Sequence, residues 1–237
     1  FMSKLSIVLI ITIFIQSSLA REIYTAYLSP WTLDEHRGVF VELILEIEKR
    51  LKTNNKIKIL PWSRAQKYAT NKDDIIIFPV TRTPRRENKY TWIAKVMPLE
   101  LVFVTYKKKA PKTIEEAKKL KVIIVHDDSP TYYFLKSKGL KNIKALPRGV
   151  KGMPKMLKYG RSDSWFAAKS LSKYYFRDSP LKVHINYGPP IYKGWLYIAA
   201  SKKISPELLK QYKQTFKSIK QDGSLVKIIK RYTTNIK

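Results

Sequence analysis

The chain has 237 residues, no cysteine, and 47 Lys/Arg against 18 Asp/Glu, a formal net charge of +29 at pH 7. The missing cysteines exclude disulfides, thiolate nucleophiles and Cys-ligated metal sites. The length is enough to bury a core without such staples, as one large domain or two small ones, and the positive surface draws anions through its long-range field.

Lys4 is the only charge in the first twenty residues, and Leu5 to Ile15 read LSIVLIITIFI before QSSLA. A cationic start, a short apolar core and the small-residue exit Ser18-Leu19-Ala20 predict a signal peptide over residues 1–20, cleaved after Ala20. The rival reading, an uncleaved anchor, needs about 20 apolar residues, and this core is shorter. No later segment has the length and apolarity of a span, so the mature protein is expected to be exported and soluble. Its charge is uneven: residues 107–190 hold 20 Lys/Arg against 6 Asp/Glu, and residues 21–106 hold 15 against 10. The lysines are dispersed rather than gathered into a basic tail or a nucleic-acid motif. They read as a solvated face or a polyanion surface, and nucleic acid is not an expected partner.

The elements alternate. Glu22 to Tyr27 read as a strand closed by Ser29-Pro30. Residues 39–51 put Phe40, Leu43, Ile44, Ile47 and Leu51 on one helical face, with Glu46/Arg50 and Glu48/Lys52 as i,i+4 pairs. Lys56 to Leu60 form a second strand, and Pro61 opens a helix through Tyr68. A strand over 74–78, carried by the β-branched run from Ile75, and a longer one over Leu99 to Tyr106 complete the first unit.

Lys107 to Pro111 break the pattern, and a second unit begins. Thr113-Ile114-Glu115-Glu116 is a capping box. A strand over Val122 to Val125 runs into His126-Asp127-Asp128-Ser129-Pro130, where Ser129 caps a helix that Gly139 ends. A helix around 150–159 stops at Gly160, and Ser164 to Ala168 form a strand. In the tail, a strand over Gly194 to Ala200 precedes a helix with Leu209, Tyr212, Phe216 and Ile219 on one face. Asp222-Gly223 then turns into a last helix bearing Val226, Ile229 and Tyr232. Such a rhythm predicts a largely parallel sheet covered on both faces.

The most informative loop is 81–86, with Thr81, Arg82, Thr83, Pro84, Arg85 and Arg86 at the end of a buried strand. α/β proteins place ligand contacts at such ends. The guanidinium fork grips a carboxylate or phosphate with two parallel hydrogen bonds. A solvated basic turn is the other reading.

Five segments in order resemble the periplasmic solute-binding proteins of family 3, which serve polar amino-acid ABC transporters. They are PWSRA at 61–65, TRTPRRENKYTW at 81–92, SPT at 129–131, GRSD at 160–163 and QDGSLVKIIKRY at 221–232. The resemblance spans about residues 22–232. It implies an α/β, two-lobed clamshell of the type 2 periplasmic-binding fold, each lobe a mixed, mostly parallel sheet flanked by helices. Residues 21–105 and 193–237 would form lobe one and residues 106–192 lobe two, with the hinge crossed near Thr105 and Tyr192. The C-terminal helices would return to lobe one. The protein would be a periplasmic monomer that closes on a small solute and passes it to an inner-membrane ABC permease, or to a receptor.

Arg86 matches the family's arginine for a ligand carboxylate, and Thr81 the hydroxyl or backbone contact beside it. Ser129 sits at a helix N-terminus, which favours an anion, and also reads as an ordinary N-cap. Trp31, Trp62, Trp92 and Trp165 are candidate cleft walls or core residues. Trp31 lies in a Ser-Pro-Trp loop similar to the family's first ligand loop, and Tyr27 precedes it. Arg64 is expected to anchor its helix or lie exposed. One position departs: five residues after the acid of Gly-Arg-x-Asp, amino-acid binders place an Asp for the ligand ammonium, and this chain has Ala168. Either Asp127 or Asp128 substitutes, or the ligand is not a standard α-amino acid, because an unpaired buried ammonium is costly. The second alternative is preferred.

No catalytic residue, metal or cofactor is expected. His36, His126 and His184 are widely separated, and neither G-x-S-x-G, H-E-x-x-H nor a phosphate loop occurs. The alternatives to transport are a stand-alone ligand sensor and an enzyme on the same fold.

Overall fold

The computed structural model describes residues 21–146 and 152–233. The expected signal peptide and the opening of the helix expected from residue 150 lie outside them. The first unit comprises β1 (Ile23–Thr25), α1 (Val39–Arg50), β2 (Ile57–Ile59), α2 (Trp62–Asn71) and β3 (Ile76–Thr81), then a 3₁₀ turn at Pro84–Arg86 and β4 (Thr91–Tyr106). The second comprises α3 (Ile114–Lys118), β5 (Ile123–His126), α4 (Pro130–Ser137), β6 (Ile143–Leu146), α5 (Met153–Lys158), β7 (Ser164–Ala168), α6 (Lys169–Phe176) and β8 (Ile185–Tyr187). The chain returns through β9 (Tyr192–Ala200), α7 (Pro206–Gln221) and α8 (Ser224–Thr233).

The strands lie in the order β2-β1-β3-β9-β4-β7-β5-β6, with β8 on β4. Pairing is parallel at both ends, among β1, β2 and β3 and among β5, β6 and β7, and antiparallel through the middle. This is the expected α/β clamshell. β4 pairs with β9 as far as Leu101, opposite Tyr192, and with β7 from Leu101 to Val104. The change of partner falls at Leu101, and Thr105, where the hinge crossing is expected, pairs with Asn186 of β8.

β4 begins well before the Leu99 expected from sequence. Lys95 and Pro98 interrupt its apolar run, and both are exposed while Ala94, Val96, Met97 and Leu99 are buried. Two bulges, near Trp92 and Lys95, break the strict alternation that would have revealed the strand.

α7 and α8 pack on α1 and on each other. Leu208, Tyr212, Phe216 and Ile219 form the buried stripe of α7. Leu209, expected on it, is only partly covered. On α8 the buried residues are Leu225 and Ile228, and the expected Val226 points outward.

Glu48 also departs from expectation. α1 stops at Arg50, and Lys52 takes a left-handed φ of 55° that carries it off the helix face. The Glu48 carboxylate is instead buried, accepting from Asn55 Nδ2 at 2.7 Å, Thr53 Oγ1 at 2.7 Å and the Tyr212 hydroxyl. The expected Glu46–Arg50 pair forms at 2.7 Å, and Arg50 also reaches Asp222 at 2.6 Å, fastening α1 to the turn before α8.

Candidate functional site

The first wall of the cleft is built on α1 and β3. Val39 N donates to Pro30 O at 3.1 Å and Phe40 N to Trp31 O at 3.0 Å, so the Ser29-Pro30-Trp31 loop is sewn to the start of α1. Gly38 makes this approach possible: its φ is +126°, and a Cβ there would stand 2.5 Å from Trp31 O. Gly38 N donates to the Tyr232 hydroxyl at 2.9 Å, and that hydroxyl bonds Glu42, so α8 clamps the start of α1 on which the loop rests. Trp31 is buried, and its indole N–H has no partner among the described residues.

The three arginines after β3 separate in role. Arg82 pairs with Glu87, its Nε at 2.8 Å. Arg85 is exposed and lies 3.7 Å from the Tyr133 ring centre, bridging to α4. Arg86 is 8% exposed, donates to Gln66 Oε1 at 2.6 Å and lies 5.8 Å from the Trp62 ring centre. Among the described residues it forms no ion pair. Burial holds its pKa below the ordinary arginine value, yet a guanidinium remains a cation in proteins. A buried cation without a carboxylate is costly, and an incoming anion relieves that cost.

The second wall comes from β5, α4 and β7. Ser129 caps α4, accepting from Tyr132 N at 3.2 Å. Its hydroxyl also meets His126 O and, at 2.6 Å, Thr131 Oγ1. One proton serves these neighbours, so Ser129 is chiefly a cap. The Thr131 N–H, with no bond within the described residues, is the better donor to an anion at this helix start.

Two cavities lie between the walls. The inner one, about 90 Å³, is bordered by Trp31, Trp62, Thr81, Arg86, Ser129, Trp165 and Ala168. The outer one, about 560 Å³, lies between α2, the 3₁₀ turn and α4. Arg86 borders both. Tyr27, by contrast, is exposed and borders neither, and Trp92 packs on Tyr90 and Tyr197 away from both. Arg64 is exposed.

Thr131 and Phe166 border the inner cavity without having been singled out by sequence, His126 borders it although no binding role is expected of it, and Gln66 orients Arg86. A polar stripe on α2, Ser63, Gln66, Lys67 and Thr70, has the helical spacing that would have pointed to Gln66. Burial pushes the His126 pKa down, which keeps the ring neutral at pH 7.

Among the described residues, no carboxylate borders the inner cavity. Asp127 and Asp128 are both exposed; Asp127 accepts from Asp128 N at 2.9 Å, and Asp128 accepts from the Tyr133 hydroxyl at 2.9 Å and faces the outer cavity. The strong donor at the inner cavity, the Arg86 guanidinium, calls for acceptor oxygens.

The model of the bacterial extracellular solute-binding proteins, family 3, matches residues 26–235. The chain belongs to this family. A search of curated proteins finds no match. Among solved structures it is similar to a mutant ArgBP from T. maritima, with 18% identity and a TM-score of 0.80 over 90% of this chain and 95% of that one. A histidine kinase sensor domain with similarity to periplasmic binding proteins has 15% identity and a TM-score of 0.81, over 90% and 96%. A substrate-binding protein of an ABC uptake transporter from Streptococcus pneumoniae, with bound histidine, has 18% identity and a TM-score of 0.76, over 90% and 91%. At these identities the likeness establishes the shared fold. Among the described residues, no helix is long and apolar enough to cross a membrane, and no cluster of His, Asp and Glu has the makings of a metal site.

Proposed function

We propose that the protein captures a small carboxylate-bearing solute between its lobes in the periplasm and, as a monomer, delivers it to an ABC permease. Arg86 holds the carboxylate, Thr81 and the start of α4 flank it, and Trp31, Trp62 and Trp165 cover the apolar part. The observation that carries this reading is a buried guanidinium that, among the described residues, has no ion-pair partner and faces a cavity with no acid on its walls. The same absence disfavours an unmodified α-amino acid, whose ammonium would be stranded. Closure supplies contacts from the second wall that an open cleft lacks, with the hinge at the Leu101–Tyr192 pair. Binding rather than catalysis is the role of such a site.

A second reading has one observation behind it: the sensor-domain likeness over 90% of the chain. In that case the closed form addresses a receptor rather than a permease. Co-purification of the liganded protein with host membrane proteins separates the two.

Arg86→Ala should weaken binding of a small carboxylate by about 1.5–3 kcal/mol, the range for a hydrogen bond to a charged group, measured by calorimetric titration. Unchanged affinity would remove Arg86 from the site.

A further inference from the structure

The outer cavity has an electrostatic character that the inner site does not use. Lys67 on α2, Arg85 and Arg86 on the 3₁₀ turn and Lys89 just beyond it all border it. Among the described residues none of the four forms an ion pair, although neighbouring cations are matched: Arg82 pairs with Glu87, and Lys72 and Lys58 both reach Glu22 at 2.9 Å. Among the described residues the single acid on the cavity wall is Asp128, which accepts from the Tyr133 hydroxyl at 2.9 Å and leaves the four cations in excess. Cations gathered around a concave, partly desolvated space focus their field into it. With about 560 Å³ against about 90 Å³ inside, the outer space has the room that the inner one lacks.

We propose that the outer cavity is a second anion subsite, joined to the first through Arg86, so that the preferred solute is a small multivalent anion. One carboxylate sits at Arg86, and a second anionic group, carboxylate or phosphate, lies among Lys67, Arg85 and Lys89. This rests on the Arg86 reading above and names the solute class more closely. Lys67 and Lys89 are exposed and close on the group as flexible point charges. Arg85, laid on Tyr133 of the opposite lobe, fixes the far edge.

The test is calorimetric titration of the full mature chain with lactate, citrate and 3-phosphoglycerate, comparing the parent, the double variant Lys67→Ala/Lys89→Ala and Arg86→Ala. The double variant should bind the tighter of citrate and 3-phosphoglycerate about tenfold or more less tightly, as expected for loss of charge-assisted hydrogen bonds, with lactate within twofold. Which of the two binds tighter in the parent identifies the second group as carboxylate or phosphate. Equal losses for all three ligands, or no loss for any, would overturn the second subsite. If Arg86→Ala weakens lactate while the double variant changes nothing, the inner site stands and the outer one falls. If Arg86→Ala leaves lactate binding intact, the inner reading fails as well.

Discussion

The two walls of the cleft differ in how they are held and in what they present. The first carries the charge: Arg86 is oriented by Gln66, and the Trp31 loop is tied to α1 and through Tyr232 to α8. The second is electrically neutral at the inner cavity, offering Ser129, Thr131, Trp165, Ala168 and a neutral His126. In the proposed role, the wall built on α1 and β3 supplies orientation and affinity, and the facing wall supplies selectivity, chiefly through what Ala168 omits. This division is not set by overall charge, since the segment 107–190 itself holds 20 Lys/Arg against 6 Asp/Glu. Net charge sets long-range attraction, while in the proposed role the placement of one buried guanidinium decides the site.

The largest effect should come from breaking the support of the first wall. Glu48→Ala removes the acceptor for Tyr212, Asn55 and Thr53 and leaves buried donors unpaired. A loss of about 3 kcal/mol is expected in urea unfolding, whereas a change within 0.5 kcal/mol would show that α1 and α7 do not depend on this carboxylate. Next in size is a change to the neutral wall. Ala168→Asp places an acid at the inner cavity, and glutamine binding should tighten about tenfold while simple carboxylates weaken about tenfold. If both ligands weaken alike, Ala168 has no part in selectivity. The smallest effect should come from the contact between the walls. Arg85→Ala removes a cation–π bridge at an exposed site, worth about 0.5–1 kcal/mol. It should appear as faster release of lactate in stopped-flow measurements, and an unchanged release rate would mean that Arg85 does not hold the lobes together.

Much of this architecture is legible in the sequence because long periodic segments and capping signals are local. α1, the Thr113 N-cap and the Ser129 cap form where their residue types indicate, although Glu116 returns to Lys112 N at 2.8 Å rather than to Thr113 N as the capping box requires. What stays hidden is set by distant partners. Glu48 looks like a surface residue until Tyr212 reaches it from α7, and β4 is concealed by bulges that only its pairing with β9 explains. Of the residues that border the inner cavity, Arg86, Trp31, Trp62 and Trp165 could be named from motif and loop position. Tyr27 and Trp92 show the limit of that reasoning, since side-chain direction at a strand end and an aromatic cluster decide their exposure. Thr131, hidden behind its more conspicuous neighbour Ser129, gains its interest from a backbone N–H that no residue type announces.

The central claim is that the inner cavity takes a carboxylate without an ammonium. Calorimetric titration of the unloaded mature protein with lactate and with the standard amino acids tests it most directly. The account predicts that lactate binds at least about tenfold more tightly than glutamine, because Arg86 is satisfied by both while only glutamine strands a cation. Tight binding of a neutral amino acid, abolished by Asp127→Asn or Asp128→Asn, would contradict it.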